Sequence, residues 1–382
     1  MIYLDYAAAT PVSKKVVQAM LPYFGENFYN PSAAYGPARQ VRADYQEAKH
    51  RLAQLIGARP AEIVITPGAT ESINLALFGV KTPVRGDSAV ITTSVEHPAV
   101  LECARAIGAT ILPVDEQGRL NLDDLRKNIT DDTQLISVGY ANNELGTVQN
   151  LKEIAEICRL ERFRRAERSL GVPLVLHTDA SQAAGYLDVN VARLGVDMMT
   201  LNSGKCYGPK GVGLLYVRSG TVLEPIIRGG GQEMGLRSGT ENVAGVIGFA
   251  LALEIAEKKR KSEVKRLEIL RDNLEKYITT NGAIINSRAK HRLPNIINFS
   301  VDGLDAERVV FGLDQRGIQV ATGSACAANK GARSHVLTAV GLTPSQADGS
   351  LRISLGRGTT TAQIEKFKPI LKEVIENEQK FS

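Results

Sequence analysis

The sequence predicts an α/β protein in which helices cover a mostly parallel β-sheet, followed by a smaller α+β region. Between residues 63 and 217, short apolar runs of strand length alternate with stretches of helical periodicity, a pattern typical of βα units. After Gly239 the alternation gives way to one long helical stretch, Asn242 to Thr279, and then to mixed strands and helices. A chain of 382 residues is long enough for two domains, and we place their boundary in the long helix near Leu251.

The first part of the chain predicts an extended segment and two helices. Met1 to Thr10 is extended and ends in a turn of small residues. Pro11 can begin a helix that runs through Phe24, because proline is tolerated in the first helical turn. A loop at residues 30–32 follows, and Gly36 to Ile56 has helical periodicity with Gly57 just past its end.

The alternating region predicts seven strands of a mostly parallel sheet, and several polar motifs fall at its carboxyl edge, where ligands of open α/β sheets bind. Helices are predicted from Glu71, after Pro98, between residues 114 and 135, and from Lys152 to Arg168. The predicted strands are Ile63–Thr66, Ala89–Thr92, Thr110–Val114, Leu135–Val138, Leu174–His177, Asp197–Leu201 and Leu214–Val217.

The C-terminal region predicts an α+β arrangement with a glycine-rich loop in its middle. After the long helix its elements are a strand at Asn295–Ser300, a helix from Asp305, the loop at Gly323, a helix near Ser334, a strand at Leu351–Leu355 and a last helix from Ala362.

Composition is typical of an ordinary globular protein, with 43% hydrophobic and 23% charged residues and a net charge of +5. The basic stretches 159–168 and 258–265 fall on predicted helices without interleaved aromatic residues, so we expect solvated faces and no nucleic-acid surface. No apolar run approaches the ~20 residues of a membrane span. The N-terminus lacks the features of a signal peptide, so we expect a cytoplasmic protein without membrane contact.

The four cysteines form no CxxC pair. This argues against a disulfide framework and against a metal site, and favours reduced thiols. We therefore expect no metal cofactor.

Lys205 stands out because of its neighbours. It follows an apolar strand and a turn of small polar residues, and glycines and a proline interrupt residues 208–213. A single lysine in such a place would more often be a surface residue in a hairpin turn. Where water is scarce, however, desolvation disfavours the ammonium, and a neutral lysine can form a Schiff base. The surrounding residues favour this second interpretation.

Three further motifs fall at the predicted binding edge of the sheet. The turn at residues 68–71 opens a helix, whose free N–H groups and the Thr70 hydroxyl suit a phosphate, although a helix cap is the plainer explanation. His97 and the polar run 142–146 each end a strand, and each is also compatible with a purely structural role.

Asp179 ends the apolar run around His177 and is a more specific signal. A carboxylate is costly to bury without a cationic partner. A protonated pyridine nitrogen, as in pyridoxal 5′-phosphate, is such a partner. A metal bound by His177 and Asp179 is less well supported, because no third ligand lies at a suitable spacing.

Taken in order, these motifs resemble the class V, fold-type I pyridoxal-phosphate enzymes and, among them, the NifS/IscS-type cysteine desulfurases. The resemblance covers nearly the whole chain. The motifs that carry it are YLDYAAATP at 3–11, NPSA at 30, GATES at 68, EH at 96, NNELG at 142, TDASQ at 178, YGPKGVG at 207, GGGQE and LRSGT at 229–240, GSAC at 323 and RISLGR at 352.

The resemblance implies a large cofactor-binding domain, residues 12–250, with a mostly parallel seven-stranded sheet between helices. Residues 1–11 and 251–382 would form the smaller α+β domain. It further implies that Lys205 forms the Schiff base with pyridoxal 5′-phosphate, that Asp179 holds the pyridine nitrogen and that His97 stacks on the ring.

The remaining implied contacts involve the phosphate, the substrate and a second subunit. Arg352 would bind the substrate carboxylate with help from Asn30, and a planar guanidinium suits that task. Thr240 would reach the phosphate from the partner subunit of a homodimer. The other implied contacts are Asn143 and Gln182 at the substrate side and ring oxygen, and Ala69, Thr70, Asn202 and Ser203 at the phosphate.

Cys326 distinguishes the cysteine desulfurases from aminotransferases of the same class. It lies in a stretch of small residues, TGSACAANKGAR, which lacks the apolar surroundings of an ordinary buried cysteine. The resemblance implies that its thiolate removes sulfur from L-cysteine, leaving L-alanine, and carries it as a persulfide to acceptors such as an iron–sulfur scaffold.

The sequence departs from the family at Gly204, where a histidine that contacts the phosphate usually precedes the lysine. We expect the phosphate contacts to be redistributed, with Ser203 as a candidate. Cys206 and the basic segment 159–170 have no assigned role. Alternative functions are a selenocysteine lyase, a class V aminotransferase and a non-catalytic sulfur-relay subunit, the last favoured only by Gly204.

Overall fold

A computed structural model describes residues 1–80, 89–287, 289–323 and 333–380 of the protein, so Cys326 lies outside the described residues. The strands are β1 Ile2–Tyr3, β2 Ile63–Thr66, β3 Val90–Thr93, β4 Thr110–Leu112, β5 Leu135–Ser137, β6 Val175–Asp179, β7 Met198–Asn202, β8 Gly213–Val217, β9 Ile284–Ile285, β10 Ile296–Ser300, β11 Ile318–Gln319, β12 Ala321–Thr322 and β13 Ser350–Ser354.

The α-helices are α1 Lys14–Met20, α2 Gly36–Ile56, α3 Ala69–Gly79, α4 Pro98–Ala106, α5 Leu122–Asn128, α6 Leu151–Glu167, α7 Val191–Leu194, α8 Val243–Thr280, α9 Ala306–Asp314, α10 His335–Ala339, α11 Pro344–Asp348 and α12 Thr361–Gln379. Short 3-10 turns occupy Leu21–Phe24, Pro60–Glu62 and Ser203–Lys205.

The large sheet has seven strands in the order β2-β8-β7-β6-β5-β3-β4. Strand β8 is antiparallel to both of its neighbours, and the other adjacent pairs are parallel. This confirms the predicted mostly parallel seven-stranded sheet between helices. Strand β6 continues to Asp179, two residues past its predicted end, because Thr178 and Asp179 pair with Met199 and Thr200 on β7.

The first helix is shorter than predicted. Ser13 has an extended backbone, with ψ of 137°, so α1 begins at Lys14 and not at Pro11. After Met20 the chain continues as the 3-10 turn Leu21–Phe24, in which Pro22 occupies the first turn. The strands β1, β9, β11 and β12 were not predicted, because two residues are too few to show a periodic pattern.

The smaller region contains a four-stranded sheet in the order β12-β13-β10-β9. The N-terminus joins this region, since β1 pairs in parallel with β11 and Asp5 bridges to Ser354. Leu4 is fully buried in its apolar core, beside Phe299 and Phe367. The N-terminal segment thus starts in the small region and then runs toward the large sheet.

Helix α8 contributes to both regions. Its residues up to Ala256 pack into the main core of the large sheet, and its residues from Leu267 onward pack into the small core. The change of core therefore falls between Ala256 and Leu267, while the division at Leu251 stays a prediction. The helices within the described ranges all lack the combination of length and apolarity needed to cross a membrane.

Candidate active site

A cavity of about 360 Å³ opens at the carboxyl edge of the large sheet and is closed on its other side by the N-terminal segment and the small region. Its walls contain a carboxylate, an amine, an imidazole, a guanidinium and the start of a helix. The predicted site residues that line it are Ala69, Thr70, His97, Asn143, Asp179, Gln182, Asn202, Lys205 and Arg352.

Lys205 reaches the cavity from a tight turn after β7. The Asn202 side chain accepts a hydrogen bond from the Gly204 N–H at 3.1 Å and so stabilises the 3-10 turn that ends at Lys205. The half-buried lysine donates from Nζ to the carbonyl oxygens of Ala7 and Ala8, at 2.7 and 2.8 Å. The N-terminal segment therefore positions the amine, a role that no side chain in the sequence signals.

Gly204 is not required by packing. A side chain at this position would meet Asn202 Oδ1 and Lys210 Cγ at 3.6 Å, which are ordinary contacts. The carbonyl of residue 204 accepts the hydroxyl of Thr10 at 3.0 Å, and that bond is independent of the side chain. The departure from the family at this position therefore has no steric cause in the described residues.

The turn before α3 lies at the cavity, where Ala69 and Thr70 form part of the wall. Helix α3 begins at Ala69, two residues before its predicted start, and its first N–H groups have no intrahelical partners. A Cβ at Gly213 would lie 2.9 Å from the Gly68 backbone, so the glycine lets β8 lie against this turn. The acid in the first turn, Glu71, is paired with Arg237 at 3.0 Å, which offsets its charge.

His97 caps helix α4 and faces the cavity. Its Nδ1 accepts the Ala99 N–H at 3.1 Å, so the proton of the neutral ring resides on Nε2. Burial lowers the pKa of His97 below its usual value, which keeps the ring neutral at neutral pH. A flat neutral ring at the cavity wall is suited to stacking against a planar ligand.

Glu96 precedes His97 and was not assigned a role from the sequence. Its two carboxyl oxygens accept the Gly139 N–H at 3.0 and 2.9 Å, and Oε1 also accepts the Thr93 hydroxyl at 2.7 Å. Burial raises the pKa of Glu96 to about 7. No ion pair to this carboxyl occurs within the described residues.

Asp179 and His177 have different surroundings although both lie on β6. Asp179 borders the cavity, and its Oδ1 accepts the Ser181 N–H at 2.9 Å. His177 is fully buried between the hydroxyls of Ser137 and Thr200, and burial lowers its pKa to about 4. His177 is therefore a neutral structural residue, and Asp179 is the group available to a ligand.

The polar run after β5 contains two adjacent asparagines that have different roles. Asn142 is committed to the fold, because its side chain accepts from the N–H groups of Glu144 and Leu145 and donates to Val95. Asn143 lines the cavity, and its backbone carbonyl accepts from Arg352 at 3.2 Å. Gln182 also borders the cavity, where its Nε2 donates to the Ala7 carbonyl at 3.0 Å.

Arg352 extends from β13 into the same cavity and is 1% exposed. Its Nη2 donates to Asp5 Oδ1 at 2.7 Å, and its Nε is buried without a hydrogen-bond partner in the described part of the chain. An unsatisfied buried donor is costly unless a ligand accepts from it. The arrangement therefore suits binding of an anion.

Three of the predicted site residues within the described ranges do not line the cavity. Asn30 is exposed, and its side chain accepts from Ser32. Ser203 is fully buried, and a Cβ at Gly208 would meet its hydroxyl at 2.1 Å. Thr240 is exposed. Cys326 lies outside the described residues, so its role stays a prediction.

Sequence reasoning also missed the acids behind the cavity wall. Glu144 is 5% exposed and accepts the hydroxyl of Ser334, the residue that caps α10. Burial raises the pKa of Glu144 to about 7. Asp5, the partner of Arg352, was likewise missed, because an acid in an extended N-terminal segment carries no local signal of such a contact.

The donor set of the cavity fits pyridoxal 5′-phosphate. The start of α3 offers N–H groups and the positive end of a helix dipole to a phosphate. Asp179 offers a carboxylate to a pyridinium, and Lys205 offers an amine to an aldehyde. Asn202 and Thr70 border the cavity as further polar groups, whereas the Ser203 hydroxyl is directed to Gly208.

Comparisons with known proteins agree with this geometry. The family description Aminotransferase class-V matches residues 2–367. The chain is 41% identical over 385 residues to "Cysteine desulfurase IscS" of Dictyoglomus turgidum, covering 98% of this chain and 94% of that relative.

Two solved structures are also similar. One described as "NIFS-LIKE PROTEIN" has a TM-score of 0.89 at 33% identity and covers 98% of this chain and 99% of its own. A second, "SspA in complex with cysteine", has a TM-score of 0.77 at 34% identity, covering 93% and 99%.

Proposed function

The chain belongs to the class-V aminotransferase family and is a cysteine desulfurase that depends on pyridoxal 5′-phosphate, and from this premise we propose how its residues move sulfur from L-cysteine to Cys326. The observation that carries the proposal is the meeting of the Lys205 amine, the Asp179 carboxylate and the start of α3 in one cavity. The bound cofactor would supply an aldehyde that links to amines and a ring that accepts an electron pair from the substrate Cα.

The residues of the large domain hold the cofactor and move protons. Asp179 would keep the pyridine nitrogen of the bound cofactor protonated, and the N–H groups of α3 with Thr70 would hold its phosphate. The Lys205 amine donates hydrogen bonds to the Ala7 and Ala8 carbonyls, which orients the nitrogen. The lone pair of this nitrogen accepts the Cα proton. His97 would stack on the ring, and its Nε2–H could return a proton to carbon.

Arg352 and Asn143 orient the substrate. The buried Nε–H of Arg352 donates to no acceptor within the described residues and is a donor for the α-carboxylate of L-cysteine. The Asn143 side chain, on the same wall, contributes a neutral polar contact. Holding the carboxylate fixes the direction in which the Cα–H bond points toward Lys205.

Cys326 takes the sulfur. Its thiolate attacks the substrate sulfur, an S–S bond forms, and the Cβ–S bond breaks. The electron pair of the broken bond stays on carbon, which is then protonated to give L-alanine, and the enzyme retains a persulfide. No external oxidant or reductant is needed, because the thiolate and the released carbon balance the electrons.

The direct experiment incubates the enzyme with L-cysteine and measures L-alanine together with the mass of the Cys326 peptide. We expect alanine to form without a keto acid and the peptide to gain one sulfur atom. Cys326→Ser should abolish both while leaving cofactor binding intact. Persulfide formation at the normal rate in Cys326→Ser would refute the role of this residue.

We also propose that the enzyme is a homodimer in which Thr240 completes the phosphate site of the partner. The support is that Thr240 is exposed and lies outside the cavity of its own chain, in a motif shared with the family. Mixing Lys205→Ala with Thr240→Ala should restore activity, because one site of the mixed dimer regains both residues. Failure of the mixture to recover activity, with subunit exchange verified, would contradict the shared site.

The acceptor of the sulfur is proposed to be another protein, such as an iron–sulfur scaffold, in the cytoplasm. The described cysteines, Cys103, Cys158 and Cys206, form no disulfide with one another, which is compatible with a reducing compartment. Transfer of labelled sulfur from the Cys326 persulfide to a purified scaffold tests the assignment. Release of sulfide alone, without transfer to any scaffold protein, would contradict it.

A further inference from the structure

The guanidinium of Arg352 has a counter-ion before any substrate arrives. Asp5 Oδ1 accepts from Nη2 at 2.7 Å, and the two side chains are 18% and 1% exposed. Asp5 belongs to the N-terminal segment, where its backbone bridges to Ser354, so its position is set by the small region. The cavity is lined by Arg352 and not by Asp5. Asp5 therefore contacts Arg352 without forming a wall of the cavity.

Two effects of Asp5 on Arg352 oppose each other. A fixed hydrogen bond orients the guanidinium, which would help a substrate carboxylate to bind. A fixed negative charge neutralises the guanidinium and repels a second carboxylate, which would weaken binding. The sign of the net effect depends on whether Arg352 needs Asp5 for its orientation.

Packing already orients Arg352. It lies on the inner strand β13, whose backbone pairs with both β10 and β12, and its side chain is nearly inaccessible to water. A second contact, from Nη1 to the Asn143 carbonyl at 3.2 Å, also fixes the plane of the guanidinium. The contribution that neither packing nor Asn143 can supply is the negative charge.

Glu144, a second acid that interacts with Arg352 in the described part of the chain, provides this charge only in part. The Glu144 carboxyl interacts electrostatically with the Arg352 guanidinium without an ion-pair contact. Burial raises the pKa of Glu144 to about 7. At neutral pH it is therefore only partly ionised. Asp5 makes the direct ion pair and is the main compensating charge.

We propose that Asp5 sets the affinity of the enzyme for the α-carboxylate of its substrate by neutralising Arg352 in the ligand-free protein. The charge stabilises the empty site, because a buried guanidinium without a counter-ion is costly. The same charge repels the incoming carboxylate and keeps the affinity moderate. This inference rests on the proposed role of Arg352 in binding that carboxylate.

The test compares L-alanine with ethylamine, which has the same amine and carbon body but no carboxylate. Dissociation constants are measured from the visible absorption of the holoenzyme, and thermal melting is recorded for each variant. In Asp5→Asn, which keeps size and polarity but removes the charge, we expect L-alanine to bind about tenfold more tightly. Ethylamine binding should change less than about twofold, and the melting temperature should fall.

Two further variants separate the explanations. Asp5→Glu keeps the charge, so L-alanine should not gain affinity; a tenfold gain there would overturn the proposal. Unchanged or weaker L-alanine binding in Asp5→Asn would overturn it as well. If Asp5→Asn does not fold, Asp5→Ser carries the same expectation.

The proposed role of Arg352 is tested separately with Arg352→Gln in an otherwise unchanged enzyme. Loss of the preference for L-alanine over ethylamine in this variant supports Arg352 as the carboxylate-binding residue. If the preference persists, the assignment of Arg352 has failed, and the inference about Asp5 fails with it. The Arg352→Gln result thus tests the role of Arg352 separately from the effect of Asp5.

Discussion

Lys49, in the core of the large domain, and the half-buried Lys205, at the cavity, differ in what their amines meet. Lys49 on α2 is 6% exposed, and its Nζ lies 2.7 Å from Glu233 Oε2. Lys205 contacts the backbone carbonyls of Ala7 and Ala8 and faces a cavity. A carboxylate is the partner of the Lys49 amine, whereas the partners of the Lys205 amine are neutral carbonyl oxygens. The comparison teaches that burial alone does not make a lysine reactive.

The buried acids show the same contrast. Glu233 is shared by Lys49, the Tyr45 hydroxyl and the Ile65 N–H, so the core contains a fully bonded ion pair. Glu96 and Glu144, beside the cavity, accept hydrogen bonds from neutral groups, and burial raises the pKa of each to about 7. The core keeps its charges compensated, and the site keeps acids that titrate near neutral pH.

The largest effect that tests this comparison is expected for Lys205→Ala. Without the amine neither the cofactor linkage nor the Cα proton transfer can occur, so activity should fall by ~10⁴-fold or more. The visible absorption of the purified enzyme should change its maximum or disappear. Melting should stay within a few degrees of the unaltered enzyme, and appreciable remaining turnover would contradict the role of Lys205.

Lys49→Met should instead affect stability. It leaves Glu233 ionised in the core without its cation, which we expect to cost ~3–5 kcal/mol of unfolding free energy. Denaturant titration measures this loss, and the cofactor should still react with Lys205 in the folded fraction. The double variant Lys49→Met with Glu233→Gln is the control, and we expect it to recover part of the lost stability. A Lys49→Met enzyme that is stable but inactive would contradict the assignment of Lys49 to stability and Lys205 to catalysis.

Glu144→Gln should change how stability depends on pH. The folded-state pKa of about 7 lies above the ordinary value of 4.5, so the unfolded chain loses this proton first as the pH rises. The group therefore destabilises the protein progressively from about pH 4.5 to 7, by up to ~3 kcal/mol. The advantage of Glu144→Gln over the unaltered enzyme should be greater at pH 8 than at pH 5 in denaturant titrations. An equal difference at both pH values would contradict burial as the cause.

The smallest effect is expected for Gly204→Ala, in the turn that delivers Lys205. A Cβ there meets only ordinary contacts at 3.6 Å, and fewer unfolded conformations favour the variant slightly. We expect a change of unfolding free energy within ~1 kcal/mol and unaltered turnover. A loss of several kcal/mol would show that residue 204 needs glycine, which would make the turn itself a source of strain.

The large sheet and most of its site were predictable from the sequence because they rest on local patterns. Each strand of the large sheet is an apolar run; Asp179 ends β6, and Thr70, His97 and Lys205 each lie a few residues beyond the end of a strand. Parallel connections then bring the ends of the strands to one edge. The family resemblance supplied the specific role of each residue, which spacing alone left open.

The parts that could not be predicted depend on contacts between distant segments. Nothing in the sequence around Ala7 and Ala8 indicates that their carbonyls contact Lys205, nearly 200 positions later. Likewise, nothing around Asp5 indicates its contact with Arg352. The start of α1 and the end of β6 also differ from the predicted positions. The extended backbone of Ser13 sets the first, and the pairing of Asp179 with Thr200 sets the second. Packing between segments, and not residue type, sets these details.

The most direct test of the account is to reduce the holoenzyme with borohydride, digest it and locate the cofactor by mass spectrometry. Borohydride converts a linkage between an amine and an aldehyde into a stable bond. The account predicts that the peptide containing Lys205 carries the added mass and that the peptide containing Lys49 does not. Modification of Lys49, or of any lysine in place of Lys205, would contradict it.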